Sequence, residues 1–184
     1  MKTKKLVVIV FALVILSSLC SCTKKENENK FNANFENLSW NENTEEYNEN
    51  RIQYSFKKSS DGKYYWITRV EMQDEYKEDT LEFPGEIDGS ILIRIGFDLR
   101  DVTEQKPDIT YSVFGSSLAD DFKYPKEFNK VQNIVIPDSV QSIEDGTFVG
   151  LYSLKKINSP KELRRIGGGA FNLCSSITEF VIGN

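Results

Sequence analysis

Residues 131–153 read VQNIVIPDSVQSIEDGTFVGLYS, and residues 154–176 read LKKINSPKELRRIGGGAFNLCSS. Aligned without gaps, the two stretches share apolar and proline positions, and a third copy begins at residue 177. A fixed period of this length is typical of a solenoid, whose units bury apolar side chains only against their neighbours. Because solenoids expose broad surfaces, the pattern favours binding over catalysis. The matched positions, 23 residues apart, are Val131, Leu154 and Ile177; Ile134, Ile157 and Phe180; Pro137 and Pro160; Val140 and Leu163; Ile143 and Ile166; and Phe148 and Phe171.

The order of residues within one unit predicts its shape. Ile134 and Ile136 have the spacing of a strand, and Pro137 ends that strand because it cannot donate to the ladder. Val140 and Ile143 form a second inward pair. Each fully buried aliphatic or phenylalanine side chain contributes roughly 1.5–3 kcal/mol, so the units become stable only once neighbours stack.

These motifs resemble the BspA-like leucine-rich repeats of bacterial surface proteins. The resemblance implies a mainly β fold, a short right-handed parallel β-solenoid, with export to the cell surface and, for several members, adhesion. Two positions depart from the pattern: Ser159 replaces an apolar residue, which predicts a small core defect, and Thr147 replaces alanine, a mild change. The matching motifs are Ile136-Pro137, Val140-x-x-Ile143, Gly146, Phe148, Pro160, Leu163-x-x-Ile166-Gly167, Ala170-Phe171, Cys174 and the lead-in Phe83–Gly89.

The region before the regular repeats predicts a degenerate first repeat interrupted by an insertion, over residues 81–130. Leu92 and Ile95 recur three apart, as Val140 and Ile143 do. The stretch 97–130 is longer than the corresponding part of the later units and is rich in aromatic residues. We therefore expect strand or short helix packed on the flank of the solenoid rather than a disordered linker.

Residues 51–80 predict a β-hairpin that leads into the repeats. Apolar residues alternate over Ile52–Phe56, and a second β-rich run with one face of Tyr64, Trp66, Thr68 and Val70 follows. Between them, Ser-Ser-Asp-Gly has a turn composition in which glycine supplies a positive φ. The charged residues 71–80 predict a loop.

The N-terminus resembles a bacterial lipoprotein signal over residues 1–21. Three lysines precede an apolar run, Leu6–Leu19, that is too short to span a bilayer core of ~30 Å. Cys22 follows Ser21 and fits the lipidated position of a lipobox, whereas Cys20 directly follows Leu19 and fits poorly. Acyl chains on Cys22, such as palmitate, would anchor the protein to the envelope. The alternative is an ordinary cleaved signal whose cysteines are incidental.

Residues 22–50 are rich in asparagine and glutamate and sparse in apolar residues, which predicts a flexible tether. The alternative is a short amphipathic helix docked on the domain, because the spacing of the four large apolar residues in this stretch is close to helical periodicity. Those residues are Phe31, Phe35, Leu38 and Trp40.

Composition excludes several functional classes. Without residues 1–21, which hold three lysines and no acid, 20 basic residues face 28 acidic ones, a net charge of −8. This argues against nucleic acid as a partner. The absence of histidine excludes Ser-His-Asp and Cys-His nucleophiles and histidine metal sites. With Cys20 removed and Cys22 lipidated, Cys174 has no disulfide partner and is interpreted as a packing residue.

No nucleotide-binding or EF-hand motif is present, so we expect neither cofactor nor metal. Gly167-Gly168-Gly169 occupies a repeat position and is interpreted as a turn rather than a phosphate cradle. Glycosidases use a pair of carboxylates, and the aspartates available for such a pair are Asp98, Asp101, Asp120 and Asp121. Such residues are, however, expected on any acidic surface. We therefore predict that the protein is not an enzyme.

A candidate binding surface follows from strand alternation. If Ile134, Ile157 and Phe180 point inward, their neighbours point outward. Basic residues concentrate in the repeat that starts at residue 154, either as a solvated face or as a patch for an acidic protein or glycan. The candidate residues are Asn133, Val135, Lys155, Lys156, Asn158, Arg164, Arg165 and Glu179, with Lys161 and Val181 beside them.

The third repeat is incomplete and lacks a polar cap, which predicts an exposed edge open to strand pairing with a partner or a second copy. Two functional classes remain. The first is a lipid-anchored binding protein, an adhesin among them, expected on the outer membrane and exposed at the cell surface. The second is a structural or assembly lipoprotein whose edge strand docks in a larger complex.

Overall fold

By its internal contacts, Asn34–Asn184 forms one compact unit, termed the 34–184 domain below. The computed structural model describes residues 34–73, 76–97, 109–118 and 126–181. The predicted signal, Cys22, Phe31 and the four aspartates of the insertion lie outside the described residues. The described part is mainly β, with short 3-10 helices at Phe35–Asn37 and Lys126–Lys130.

The strands of the described residues form two large sheets and one small one. In chain order they are β1 (Glu45–Glu49), β2 (Ile52–Lys58), β3 (Tyr64–Met72), β4 (Thr80–Glu82), β5 (Glu86–Ile87), β6 (Ser90–Ile95), β7 (Ile109–Ser112), β8 (Gly115–Leu118), β9 (Asn133–Val135), β10 (Ser142–Ile143), β11 (Lys156–Asn158), β12 (Arg165–Ile166) and β13 (Glu179–Val181).

One large sheet is wholly parallel and has the order β4-β9-β11-β13. Its central residues pair in register: Leu81 with Ile134, Ile134 with Ile157, and Ile157 with Phe180. Leu81, Ile134 and Ile157 are buried. This ladder confirms the 23-residue period and assigns Leu81 to the first, degenerate repeat.

The second large sheet continues the same stack with β6, β10 and β12, which are also parallel. Ile95 pairs with Ile143, and Ile143 pairs with Ile166, so the second predicted inward position is in register between repeats. Ile95 and Ile143 are buried, whereas Ile166 is 46% exposed. Short β5 folds back on the start of β6. The predicted first repeat over residues 81–96 therefore supplies β4 to one large sheet and β5 and β6 to the other.

The predicted hairpin extends this second sheet at its N-terminal edge. β2 and β3 pair antiparallel around a turn in which Gly62 has a φ of 71°, as predicted. β3 then pairs parallel with β6, so the hairpin is joined directly to the repeats. β3 is buried on both faces, because Tyr65 and Ile67 pack into the core while Trp66 is covered from the other side.

Tyrosine hydroxyls cover the outer edge of β4. Tyr76 Oη donates to the carbonyl of Thr80 at 2.6 Å, Tyr54 Oη donates to that of Glu82 at 3.0 Å, and Tyr65 Oη donates to that of Pro84. In an extended strand these alternate carbonyls point to one side. The three side chains thus satisfy the acceptors that an edge strand leaves unpaired.

We expect Tyr54→Phe to lower the free energy of unfolding by about 1–2 kcal/mol, because the Glu82 carbonyl loses its buried donor. Burial also raises the pKa of Tyr54 above its ordinary value of 10. The stability linked to this hydroxyl is therefore present below pH 10 and lost as the pH rises above it. Urea unfolding at pH 8 and pH 11 measures both effects. Tyr152→Phe, at an exposed position, is the control, and an equal loss in both variants would contradict the edge role.

The N-terminal part of the described chain corrects the tether prediction. Residues 34–50 are not a free tether: Phe35 is buried, and its N–H donates to Gln141 Oε1 at 3.2 Å. The Trp40 ring meets Trp66 edge-on at 5.7 Å, and β1 pairs antiparallel with β2. Composition misled the prediction because the stabilising contacts come from residues distant in sequence. The alternative, a short amphipathic helix, is present in the described residues only as the 3-10 turn Phe35–Asn37, although Trp40 also packs on the domain.

The insertion packs on the core in its described part, as predicted. β7 and β8 form an antiparallel hairpin, and its turn places Val113 and Phe114 in the core. The Phe114 ring lies 4.4 Å from Phe128 and 6.1 Å from Phe148. Phe148 in turn stacks on Phe171 at 5.4 Å, so the repeated phenylalanines form a column.

Thr147 has a larger structural role than its mild departure from the family pattern suggests. Its side chain is fully buried, and Oγ1 donates to the Glu144 carbonyl at 2.7 Å. Cys174 is half-buried, and its Sγ lies 3.0 Å from the Phe148 carbonyl, in agreement with a packing residue at a turn. Burial raises the pKa of the Cys174 thiol, which favours the unreactive protonated form.

Candidate binding surface

The outward side of sheet β4-β9-β11-β13 carries most of the predicted binding residues. We term this surface the repeat face; it consists of Thr80, Glu82, Asn133, Val135, Lys156, Asn158 and Glu179. These positions flank the inward ladder of Leu81, Ile134 and Ile157, so strand alternation turns them away from the core. Parallel pairing places them in two rows across the strands.

Polar contacts between neighbouring strands hold the first row. Asn133 Nδ2 donates to Thr80 Oγ1 at 3.2 Å, and Lys156 Nζ lies 3.0 Å from Glu179 Oε2. Such pairs on adjacent strands contribute a few tenths of a kcal/mol each and restrict the side chains. The row is therefore ordered, and it remains accessible because Lys156 and Glu179 are exposed.

The second row contains an exposed apolar side chain, Val135, between polar neighbours. Val135 is 43% exposed and pairs with Glu82 on the neighbouring strand β4. On the other side, Asn158 is held by the backbone: its amide donates to the Ile136 carbonyl and accepts from the Ile136 N–H, both at 2.7 Å. Asn158 thus joins two repeats, which leaves its amide less free for a ligand than the sequence suggested.

The predicted basic residues do not form one patch. Lys155 and Lys156 lie at β11, whereas Arg164 and Arg165 lie at β12 in the other large sheet. Lys155 Nζ donates to Gln132 Oε1 at 2.8 Å, and the two residues are one repeat of 23 residues apart in sequence. Lys161 pairs with Asp138 at the same separation. The period therefore places these cations beside acceptors of the preceding repeat.

Arg165 belongs to a network on the second sheet. Glu144, nearly buried, accepts from Arg94 Nε at 2.7 Å and from Ser142 Oγ at 2.6 Å, and it also accepts from Arg165. The Arg94 guanidinium stacks 3.7 Å from the centre of the Trp66 ring. This network joins three repeats and the hairpin, so its arginines serve cohesion of the stack.

A cleft of about 840 Å³ adjoins the repeat face at β4; we term it the edge cleft. Sequence analysis did not identify it, because its walls come from the β1–β2 turn, the segment 76–79 and β4. In the β1–β2 turn, Asn50 and Arg51 have φ values of 49° and 67°. Its lining residues are Glu49, Asn50, Arg51, Ile52, Tyr54, Tyr76, Lys77, Glu78, Asp79, Thr80 and Glu82.

The edge cleft has an aromatic wall and a charged rim. Tyr54 and Tyr76 donate to β4 carbonyls, so their hydroxyls are already occupied. Burial, and then the negative charge of Glu78, raise the pKa of Tyr76, which keeps the phenol protonated. The cleft therefore offers an aromatic surface and carboxylate acceptors.

Within the described ranges, no group of three or more Cys, Asp or Glu side chains is arranged to hold a metal ion. Over the same ranges, no helix has the length and hydropathy of a membrane span.

Part of the chain is similar to known proteins. Residues 119–184 match a family described as a BspA type leucine rich repeat region (6 copies). No curated protein sequence matches the chain. Among solved structures, the leucine rich repeat protein of T. pallidum is similar, with a TM-score of 0.46 and 22% identity over 75% of this chain and 50% of that one.

A leucine rich cell surface protein of Faecalibacterium prausnitzii is similar to the same extent, with a TM-score of 0.46 and 20% identity over 73% of this chain and 29% of that one. The chain thus spans about half the length of the T. pallidum protein and less than a third of the other.

Proposed function

We propose that this chain, a BspA-like leucine-rich repeat protein by its residues 119–184, is an envelope-anchored binding protein that engages a protein or glycan through the repeat face, with adhesion as its role. The observation that carries the proposal is the in-register sheet β4-β9-β11-β13, whose inward ladder is buried while its outward rows stay ordered and accessible.

The repeat face suits recognition better than catalysis. Its side chains are held by cross-strand contacts, so little conformational entropy is lost when a ligand binds. The exposed Val135 gives an apolar centre, and charged groups surround it, as in many protein interfaces. A ligand that crosses β4 also reaches the edge cleft, which adds an aromatic wall to the same surface.

We expect Lys156→Glu to weaken binding about tenfold, or ~1.4 kcal/mol, because it reverses a charge on the repeat face and places it beside Glu179. Arg164→Glu is the matched control, since it makes the same charge change at an exposed position on the other sheet. Beads coated with the 34–184 domain are counted on epithelial cell monolayers at two salt concentrations. Equal losses for both variants, or none for either, would count against the repeat face.

The anchor is proposed at Cys22, from the lipobox-like Leu19-Cys20-Ser21-Cys22. We expect cells fed an alkyne-labelled palmitate to label the wild-type protein and the Cys20→Ala variant, and to leave Cys22→Ala unlabelled. Two acyl chains give stable membrane attachment, so Cys22→Ala should also move to the aqueous phase on detergent partition. Labelling that persists in Cys22→Ala would exclude this anchor.

A second candidate is a structural or assembly lipoprotein of the envelope. It is favoured by the exposed apolar side chains near β12 and β13, which suit docking to another protein. Protease treatment of intact cells distinguishes the two. Surface display on the outer membrane predicts digestion of the 34–184 domain, whereas a role inside the envelope predicts protection until the outer membrane is opened.

A further inference from the structure

Side chains on the outer side of the sheet that contains β3, β6 and β10 are covered by the start of the described chain. Phe35 and Trp66 are buried, yet neither belongs to the main core cluster. The Trp40 ring packs on Trp66 at 5.7 Å, and the Phe35 N–H reaches Gln141. We term the covering segment, Asn34–Trp40, the strap. It lies on the large sheet that does not carry the repeat face.

The two ends of the strap are held unequally. At and just beyond its C-terminal end, the Ser60 N–H donates to the Ser39 carbonyl at 2.8 Å, and the Asn41 N–H donates to the Lys58 carbonyl at 2.9 Å. At its N-terminal end, the described contacts include a single hydrogen bond to the repeats, from Phe35 at 3.2 Å. Burial of one phenylalanine offsets the ordering entropy of only a few residues. The N-terminal end can therefore open while the C-terminal end stays attached.

The Gln141 amide, which the strap contacts, is only half used. The side chain is fully buried, and its Oε1 accepts the Phe35 N–H, whereas its Nε2 meets no acceptor in the part of the chain that the structure describes. A buried donor without an acceptor is costly. Asn158 shows the complete arrangement in the same protein, since its amide binds both the N–H and the carbonyl of Ile136. Gln141 is therefore suited to a peptide that supplies both groups.

The charge beside this amide favours an acidic residue in such a peptide. Glu36 follows the residue that Gln141 holds, and its carboxylate acts electrostatically on the Arg165 guanidinium. Arg94 and Arg165 lie on the two strands that flank β10. An aromatic residue followed by an acidic one is thus matched to this site in packing and in charge, as it is in the strap.

We propose that Gln141 is the centre of a peptide-binding site, which the strap occupies until a partner protein replaces it with an extended segment of the same chemistry, an aromatic residue followed by an acidic one. The segment supplies an aromatic ring in place of Phe35, a carboxylate in place of Glu36, and a backbone carbonyl for Gln141 Nε2. This exchange needs neither the repeat face nor a membrane, so it does not rest on the proposed function.

The test uses the full chain purified in detergent and a fluorescent peptide, Asn-Phe-Glu-Asn-Leu-Ser, that copies residues 34–39. Fluorescence anisotropy measures the dissociation constant of the peptide. We expect the Phe35→Ser chain to bind the peptide at least tenfold more tightly than the wild-type chain, in which the strap competes at a high effective concentration. A peptide with Phe35→Ser, or one with Glu36→Lys, should bind at least tenfold more weakly than the original peptide.

A pair of glutamine variants locates the site. In the Phe35→Ser chain, Gln141→Leu should weaken peptide binding at least tenfold, because the peptide backbone loses its amide partner. Gln132→Leu is the matched control, since Gln132 precedes β9 in the other large sheet, and it should leave peptide binding unchanged. Circular dichroism verifies the folding of each variant. If Phe35→Ser is unfolded, a protease site inserted between Glu42 and Asn43, in the exposed loop before β1, allows the strap to be cut free after folding.

The other outcomes contradict the proposal. A folded chain with an opened strap that does not bind the peptide would show that the strap is a fixed part of the domain, as would a cut chain that unfolds. Equal binding by the wild-type and opened chains, or binding that survives Gln141→Leu, would place the peptide on another surface. Neither cells nor vesicles are present in this assay, so its failure leaves the proposed binding function untouched.

Discussion

Replacing Gly96 with alanine should lower the free energy of unfolding by about 3–5 kcal/mol, because overpacking and a strained backbone act together. Gly96 follows β6 with a φ of 143°, a conformation that favours glycine. A Cβ there would lie 2.4 Å from Glu144 Cβ and 2.6 Å from Thr147 Oγ1. The backbone cannot shift easily, because its N–H and carbonyl bond to Ile67 and to Trp66 Nε1.

Gly168→Ala is the matched control. A Cβ at Gly168 would meet nothing within 4 Å, so we expect a change within about 0.5 kcal/mol. Urea unfolding followed by tryptophan fluorescence measures both variants, since Trp66 donates directly to the Gly96 carbonyl. Similar stabilities for the two variants would show that the repeats do not stack as closely as the structure has them.

Glu144→Gln should cost about 3 kcal/mol of unfolding free energy, because it removes the one carboxylate shared by Arg94, Arg165 and Ser142 in a largely buried network. The amide nitrogen of glutamine would face a guanidinium donor instead of accepting from it. Asp145→Asn, one residue later, is the control: Asp145 also contacts Arg165, at 3.0 Å, but is exposed, so we expect less than about 1 kcal/mol.

The charge of Glu144 should also make the free energy of unfolding depend on pH. Burial on its own raises the pKa of Glu144, but hydrogen bonds from Arg94 and Ser142 outweigh it, and the net pKa is lowered. The stability that this carboxylate contributes is therefore present above pH 4.5, its ordinary pKa. It is lost as the pH falls through the lowered pKa of the folded state. Unfolding measured from pH 7 to pH 3 should show a shallower acid loss in Glu144→Gln. An unchanged slope would assign the acid loss to other groups.

The repeats could be predicted from the sequence because their contacts repeat with the chain. The 23-residue spacing of Ile134, Ile157 and Phe180 is the register of the sheet itself, since each unit stacks on the next. The hairpin of β2 and β3 was also predictable, because alternation and a glycine turn are local signals.

Contacts between distant segments could not be predicted in this way. No local signal indicates that Phe35 reaches Gln141, 106 residues away, or that three tyrosines cover β4. The basic residues of one repeat suggested a patch because they are close together in the sequence. The turn between β11 and β12 instead separates Lys156, in one large sheet, from Arg164, which adjoins β12 in the other.

By itself, the sequence determined the period, the register between repeats and the absence of histidine side chains, because these depend on residue type and spacing along the chain. The tertiary structure alone decided which cations are paired, where the edge cleft lies and which side chains cover the edge of β4. Those properties depend on hydrogen bonds and charges between segments far apart in sequence, and a periodic pattern holds no information about what packs against its ends.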